Sequence, residues 1–444
     1  MTSGDTIYAL ASGRGRAGVA VVRLSGGGAA SALAHLTRKP LPEVRRATRR
    51  NIYRYGKKTL IDQSLVIYFK GPDSFTGEDV VELHLHGGPV LLASLFAELA
   101  TLDGLRTAEP GEFTRRAFEH GKMDLTEAEG LGDLVNAETE AQARQALRQM
   151  QGELGRIYDG WRAELVTALA HLEADIDFPD EDLPGGVAAA IAPRMTALRG
   201  AIEAHLADGH RGEKIREGLD VVILGAPNVG KSSLLNALAR RDAAIVSEQA
   251  GTTRDIVEVP MDLAGYPVVI ADTAGLRDSG DMIEREGVRR ARARAETADI
   301  RVFMTVAAAP DLPIEFADLV KSGDYHLINK IDRVDDKALR LEFPVGAQEL
   351  SVKTGAGLEG FLKRLETDVI ARLDLSGAPA LTRVRHRRAL EDCIAALARF
   401  ETATDAELAA EDIRLAVRAL GRITGRVDVE DILDIVFGDF CIGK

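Results

Sequence analysis

The stretch Gly225-Ala-Pro-Asn-Val-Gly-Lys-Ser232 constrains the middle of this 444-residue chain more tightly than any other. It fits the phosphate-loop pattern G-x-x-x-x-G-K-S/T. Its flanks supply the setting: Val221-Val-Ile-Leu224 reads as a buried strand running in, and Ser233-Leu-Leu-Asn-Ala-Leu238 as a helix running out. Glycines there let backbone N–H groups curl around phosphates, and the helix N-terminus adds partial positive charge. Lys231 reaches the outer phosphates and the Ser232 hydroxyl suits Mg²⁺. The ligand is therefore read as a nucleoside triphosphate, held by Asn228, Val229, Gly230, Lys231, Ser232 and Ser233.

The length suggests roughly three domains, and a hydrophobic content of 45% suits ordinary packed cores. The beginning of the sequence, Met1-Thr-Ser-Gly-Asp-Thr-Ile-Tyr, lacks the basic-then-apolar pattern of a secretory signal, and no apolar run approaches a membrane span. A cytoplasmic protein with no membrane association is expected. Cys393 and Cys441 are too few for a disulfide framework, and neither lies in a C-x-x-C.

Residues 1–120 mix strand-like runs, Val19 to Leu24, Gln63 to Phe69 and Val80 to Leu85, with turns at Gly26-Gly-Gly28 and Gly87-Gly88, which predicts an α+β domain. From Thr126 the pattern changes. Leu147, Met150, Leu154, Ile157, Trp161, Leu165, Leu169 and Leu172 recur at three- and four-residue intervals as the seam of one long helix ending before Pro179. A further helical segment is read from about Val187 to His210. Strand candidates at 268–271, 300–306 and 326–328 alternate with helical stretches, as a parallel α/β sheet requires. Past Pro379 the chain is helical again, with Leu390, Ile394, Leu397, Leu415, Leu420, Ile423, Ile432 and Val436 as core candidates. The expected organisation is an α+β domain over 1–120, an all-α domain over 121–212 and 375–444, and an α/β phosphate-loop domain inserted between them over 213–374.

Asn329-Lys-Ile-Asp332 selects guanine. A carboxylate at Asp332 accepts hydrogen bonds from N1 and the exocyclic amine, which adenine does not offer. Lys330 can lay its stem over the ring, Asn329 can tie this loop to the phosphate loop, and Ser351-Val352-Lys353 suits the loop on the far face of the base. In Asp272-Thr273-Ala274-Gly275, after a strand, the acid can hold Mg²⁺ through water and the glycine can approach the γ-phosphate. Gly251-Thr252-Thr253-Arg-Asp255 offers a hydroxyl to the metal. The order of these loops is that of a GTP-binding protein.

Leu276 follows Gly275, so the glutamine that orients water in many GTPases is missing. Glu284 is the candidate water-positioning residue. Asn228 offers a side-chain oxygen, and carbonyls of Ser247, Glu248, Gln249 and Ala250 suit a monovalent cation that stabilises developing charge in place of an arginine finger.

Two arginine clusters stand out against a net charge of −13. Between Arg38 and Lys58, Arg38, Lys39, Arg45, Arg46, Arg49, Arg50, Arg54, Lys57 and Lys58 face one acid, Glu43; the second cluster is Arg383, Arg385, Arg387 and Arg388. Each reads equally as a solvated face or as an RNA contact. At the other end of the chain, Cys441 lies fourth from the last residue, but Gly443 and Lys444 argue against prenylation, and Phe437, Phe440 and Ile442 predict that this end docks.

With these residues in view, the chain resembles the MnmE (TrmE) family of tRNA-modification GTPases along essentially its full length. The resemblance rests on Asp5-Thr-Ile, Gly71-Pro-Asp-Ser-Phe-Thr-Gly-Glu-Asp79, His86-Gly-Gly-Pro89, Pro110-Gly-Glu-Phe-Thr-Arg115, Gly251 to Asp255, Asp272 to Arg277 and Cys441-Ile-Gly-Lys444. It implies an N-terminal domain that dimerises and binds a one-carbon tetrahydrofolate, 5-formyltetrahydrofolate or a methylene form, and a helical domain carrying an inserted G domain. It further implies K⁺-stimulated GTP hydrolysis. K⁺ would be held by Asn228, Ser247, Gln249 and Thr252, Mg²⁺ by Ser232 and Thr253, with Glu284 as catalytic acid. Folate contacts carry over to Arg23, Glu82, Lys122 and Lys444, with Cys441 beside them as a further catalytic candidate. The implied reaction, run with the FAD-dependent partner MnmG (GidA) in a heterotetramer, adds an aminomethyl-type group at carbon 5 of the tRNA wobble uridine. The stretch Ala307 to Pro313 is short for the family. Two rival readings are a ribosome-assembly GTPase that binds RNA as a switch, and a folate-binding scaffold with vestigial GTPase activity.

Overall fold

The computed structural model describes residues 4–54, 59–177, 187–208, 210–240, 257–272, 281–333, 346–374, 379–427, 430–438 and 440–443; for residues 257, 281–288 and 430–431 it describes the backbone alone. The chain divides into two compact units. The first comprises Met1–Gly132, Gln149–Ile191 and Arg399–Lys444, and the second Asp133–Arg148 and Ala192–Ala398.

In the first unit six strands, β1 (Thr6–Leu10), β2 (Ala17–Ser25), β3 (Thr48–Tyr53), β4 (Leu60–Phe69), β5 (Val80–Gly87) and β6 (Leu105–Thr107), form a sheet ordered β3-β4-β5-β2-β1-β6. Pairing is antiparallel except between β1 and β6. Strand alternation sends Val22, Leu24, Val66 and Leu83 to one face, where they pack with Leu33, Leu36, Leu95 and Leu99 of the helices Ala29–Thr37 and Pro89–Leu99. The same alternation turns Arg23 and Glu82 to the opposite face. The helices Glu153–Asp177 and Ala406–Thr424 run antiparallel, with Arg414 3.1 Å from Glu173 and Arg426 2.6 Å from Asp159.

The second unit holds β7 (Leu219–Leu224), β8 (Val257–Leu263), β9 (Tyr266–Asp272), β10 (Ile300–Val306), β11 (Tyr325–Asn329) and β12 (Gln348–Glu349), ordered β12-β11-β10-β7-β9-β8. Only β8 is antiparallel to its neighbour. The sheet is covered on both faces, which is why β7 is apolar almost throughout. Val221 and Ile223 join Leu234, Leu238, Phe361 and Leu365 on one side, while Val222 and Leu224 join Ala291, Ala295, Phe303 and Phe316 on the other.

Several sequence expectations need correction. The seam read as one long helix is broken into the helices Glu140–Met150 and Glu153–Asp177. Leu147 and Leu415, taken as apolar seam and core positions, are 41% and 40% exposed. The edge strand β3 was absent from the strand candidates because Thr48-Arg-Arg-Asn-Ile-Tyr53 carries no apolar run. Among the described residues no helix is long and apolar enough to cross a membrane.

The last described residues do dock within the first unit. Leu433 and Phe437 are buried against Leu125 and Ala128, the Phe437 ring lies 6.4 Å from Phe118 and 5.7 Å from Phe440, and Ile442 forms an antiparallel bridge with Pro110. Since Phe437 is 2% exposed, Phe437→Ala is expected to lower the unfolding free energy of this unit by about 3 kcal/mol. A urea midpoint unchanged from the unmutated chain would contradict this packing.

Candidate functional site

At the end of β7 the chain turns sharply through the glycine-rich loop into the helix Lys231–Ala239. Gly225 has φ +151° and Gly230 φ +111°. A side chain at the first would collide with the Met304 carbonyl, and at the second with the Asn329 amide. Helix Lys231–Ala239 has no side-chain cap, so its first N–H groups face the loop. Lys231 is 6% exposed and its ammonium donates to the carbonyls of Gly225 (2.8 Å) and Ala226 (3.0 Å). Burial lowers its pKa, while Asp272 pulls it back up. The Ser232 hydroxyl donates to Oδ2 of Asp272 at 2.5 Å, and Asp272 ends β9 directly beside Ile223 of β7. A hydroxyl and a carboxylate so placed at the head of a phosphate-binding helix form a donor set that suits Mg²⁺.

The second half of the site is built at the end of β11. Asn329 is 3% exposed, and its Nδ2 donates to the Val229 carbonyl at 2.8 Å while its Oδ1 accepts from the Val352 N–H at 3.1 Å. One side chain thus joins the phosphate loop to the Ser351-Val352-Lys353 loop. Lys330, at φ +62°, donates from Nζ to the Asn228 carbonyl at 2.6 Å. Asp332 sits in the short turn Ile331–Arg333 and accepts from the Ser351 hydroxyl at 2.7 Å. That hydrogen bond holds its carboxyl below the usual range, so the acceptor stays ionised. Ser351 Oγ also receives the Thr354 N–H at 3.2 Å, which fixes the loop. Lys353 is exposed beside it.

Ser247, Glu248, Gln249, Ala250, Gly251, Thr252, Thr253, Thr273, Ala274, Gly275 and Lys444 lie outside the described residues. Glu284 falls on the helix Asp281–Thr297, in the part described by its backbone alone. Ser233 follows Ser232 in the first turn of the phosphate-loop helix.

In the first unit Arg23 and Glu82 are cross-strand partners of β2 and β5, joined at 2.9 Å. The Arg23 guanidinium lies 5.4 Å from the Phe75 ring centroid and 5.8 Å from that of Phe113, and His84 approaches the other Glu82 oxygen at 3.4 Å. Lys122 donates to the Pro72 carbonyl at 2.8 Å, and Cys441 is exposed. Burial pushes the other thiol, Cys393, up to about 12, which makes it unreactive.

Sequence reasoning did not find the polar network behind the Gly71 to Asp79 segment. Ser25 bonds Thr76 (2.6 Å) and Glu78 (2.7 Å), Arg116 reaches Glu78 and Glu112 at 3.0 Å, and Tyr68 donates to Asp79 at 2.8 Å. Its partners are far apart in the chain, and only the spacing of acids and hydroxyls in that motif hinted at it. Of the first arginine cluster, Arg46 pairs with Glu43 at 2.6 Å, while Arg49 and Arg54 donate to the neutral groups of Gln63 and Ser94. Lys57 and Lys58 lie outside the described residues.

The chain is similar to known proteins along nearly its whole length. Residues 6–122 match the family described as the GTP-binding protein TrmE N-terminus, and residues 125–441 the MnmE helical domain. The tRNA modification GTPase MnmE of Parvibaculum lavamentivorans is 53% identical over 444 residues, covering 99% of this chain and 100% of that protein. That of Rhodospirillum rubrum is 54% identical over 455 residues, covering 99% of each. A mitochondrial 5-taurinomethyluridine tRNA synthase subunit of Danio rerio is 48% identical over 469 residues, covering 99% of this chain and 93% of its own. Among solved structures, Aquifex aeolicus Era bound to GDP and aluminium fluoride is 24% identical, covering 42% of this chain and 68% of that one at a TM-score of 0.27. With one helical-domain match spanning residues 125–441 and relatives more than half identical from end to end, the chain belongs to the MnmE family of tRNA modification GTPases.

Proposed function

We propose that this chain hydrolyses GTP, with K⁺ stimulation, to drive addition of an aminomethyl-type group (carboxymethylaminomethyl) at carbon 5 of the tRNA wobble uridine. It would act in the cytoplasm as a homodimer, together with an FAD-dependent partner of the MnmG type and a one-carbon tetrahydrofolate. The observation that carries the GTP part is the Asn329 side chain, which holds the phosphate loop and the guanine loop in one register. Family membership carries the tRNA part.

The chain's own residues divide the work. Asp332, kept ionised by Ser351, accepts from the guanine edge, and Lys330 covers the ring. Lys231, drawn toward the loop by two carbonyls, is placed to pair with the outer phosphate oxygens. Ser232 and Asp272 would hold Mg²⁺, with Thr253 completing the set, and the ion would supply neutralisation of phosphate charge. K⁺ would lie on Asn228 and on Ser247, Gln249 and Thr252, where it stabilises charge that an arginine finger otherwise meets. Glu284 would position the attacking water, since Leu276 has no group for that task.

On the first unit, Arg23, Glu82, Lys122 and Lys444 would hold the folate. The donor set fits the ligand: the Glu82 carboxylate suits pterin N–H groups, the Phe75 and Phe113 rings flank the Arg23 guanidinium paired with it, and cations suit a glutamate tail. Cys441 would lie beside it. The proposed domain limits are 1–120 for this function, 121–212 and 375–444 for the helical domain, and 213–374 for the GTPase.

Two measurements test the reading. Hydrolysis by the purified chain is expected to run at least about tenfold faster in K⁺ than in Na⁺, and equal rates would remove the cation mechanism. Mass spectrometry of wobble nucleosides from cells lacking the protein should find carbon 5 unmodified; an intact modification would overturn the tRNA assignment.

A further inference from the structure

Two of the four arginines of the Arg383 to Arg388 cluster, Arg383 and Arg387, are held in ion pairs, while Arg388 is exposed. Arg383 Nη2 donates to Oδ1 of Asp133 at 2.8 Å, and the same oxygen accepts from Arg216 Nε at 3.1 Å. Arg387 brackets Glu213 with Nε at 3.2 Å and Nη2 at 3.3 Å, and Glu213 is also bonded to His210. These are sheltered pairs: side-chain exposure is 18% for Asp133, 19% for Arg383, 7% for Glu213 and 13% for Arg387. Removing one partner of such a pair strands the other charge away from water, so the joint stays closed.

The positions of these residues in the chain give the joint its meaning. The helix Arg211–Glu217 is the last element before β7, and Arg383 to Arg387 open the helix Val384–Phe400, which follows the last helix of the nucleotide sheet, Leu358–Leu373. Incoming and outgoing chain are therefore clamped together twice, by Asp133 and by Glu213. Asp133 also ties both to the last turn of the helix Leu125–Val135. Gly212 lets the two crossings touch, because a side chain there would collide with the Leu381 carbonyl and the Ala380 Cβ. Gln142 and Gln145 add hydrogen bonds to the carbonyls of Arg216 (3.1 Å) and Gly212 (2.9 Å). From this stem Lys214 reaches Asp299 at 2.8 Å, and the same Asp299 oxygen accepts from the Asp220 N–H at 2.9 Å. The stem is thus anchored to the starts of β7 and β10, and the far end of β7 leads into the phosphate loop.

Resting on the GTPase and tRNA reading above, we infer that Asp133 and Glu213 are positioning residues that weld the two chain crossings of the GTPase fold into one lever, so that nucleotide-driven movement is transmitted rather than absorbed. A flexible two-strand linker would dissipate the same movement. A contiguous ionic network attached to the sheet passes it to residues 133–148.

The test uses the full-length chain and measures two outputs on the same variants. Asp133→Asn and Glu213→Gln should keep GTP hydrolysis within about twofold of the unmutated chain, yet lower wobble-uridine modification in cells about tenfold or more. Arg383→Lys, which preserves an ion pair, should retain most of the modification. Variants that modify tRNA as the unmutated chain does would overturn the inference, as would hydrolysis and modification falling together in step with a lower unfolding temperature. A measurement independent of variant folding is hydrogen exchange on the unmutated chain. Replacing GDP by a non-hydrolysable GTP analogue should change amide exchange in 133–148, and no change there would also overturn it. An unmutated chain that hydrolyses GTP without supporting modification would instead fault the functional reading itself.

Discussion

The Asn329 carboxamide is the contact on which the nucleotide site depends. Its amide nitrogen holds the Val229 carbonyl at 2.8 Å and its oxygen receives the Val352 N–H at 3.1 Å, at a position 3% exposed to solvent. The three loops it joins leave the sheet at different strands, and the buried Ser351 adds a second tie between two of them through Asp332. A buried amide satisfied at both ends is directional, so it fixes distance as well as proximity. Gly230 completes the fit, because any larger residue would displace that amide.

From this junction the chemistry divides by direction. On the side proposed for the phosphates, Lys231 and the Ser232–Asp272 pair gather at the head of one helix, where partial positive charge is already present. On the side proposed for the base, the Ser351 hydroxyl lowers the Asp332 carboxyl below the usual carboxylate range, favouring the acceptor form that the proposed guanine contact would use. At the opposite end of the same sheet, Asp299 links the starts of β7 and β10 to the ionic stem. Phosphate loop and stem therefore lie at the two ends of β7, the arrangement a lever needs.

How much of this could be read from the sequence depended on the range of the forces involved. β7 and β10 were legible because both faces are buried, which leaves a continuous apolar run. The phosphate loop was legible because its glycines are dictated by local backbone geometry. β3 was not, since an edge strand with Arg49 and Arg50 carries a pattern that also describes a loop. The long helical seam misled because heptad-like spacing continues across the break at Gln151-Gly152, so Leu147 appeared to belong to a core it does not join. Arg383 and Arg387 read equally as a solvated face or an RNA contact because their partners, Asp133 and Glu213, are 250 and 174 residues away, a separation that composition does not reveal.

In the proposed guanine-nucleotide site one amide, that of Asn329, ties three loops together. Equilibrium binding of GTP and ATP to Asn329→Ala tests it most directly. The account predicts that GTP affinity falls about a hundredfold and that preference for GTP over ATP collapses, although Asp332 is untouched. Retention of full GTP preference, with or without weaker binding, would contradict it.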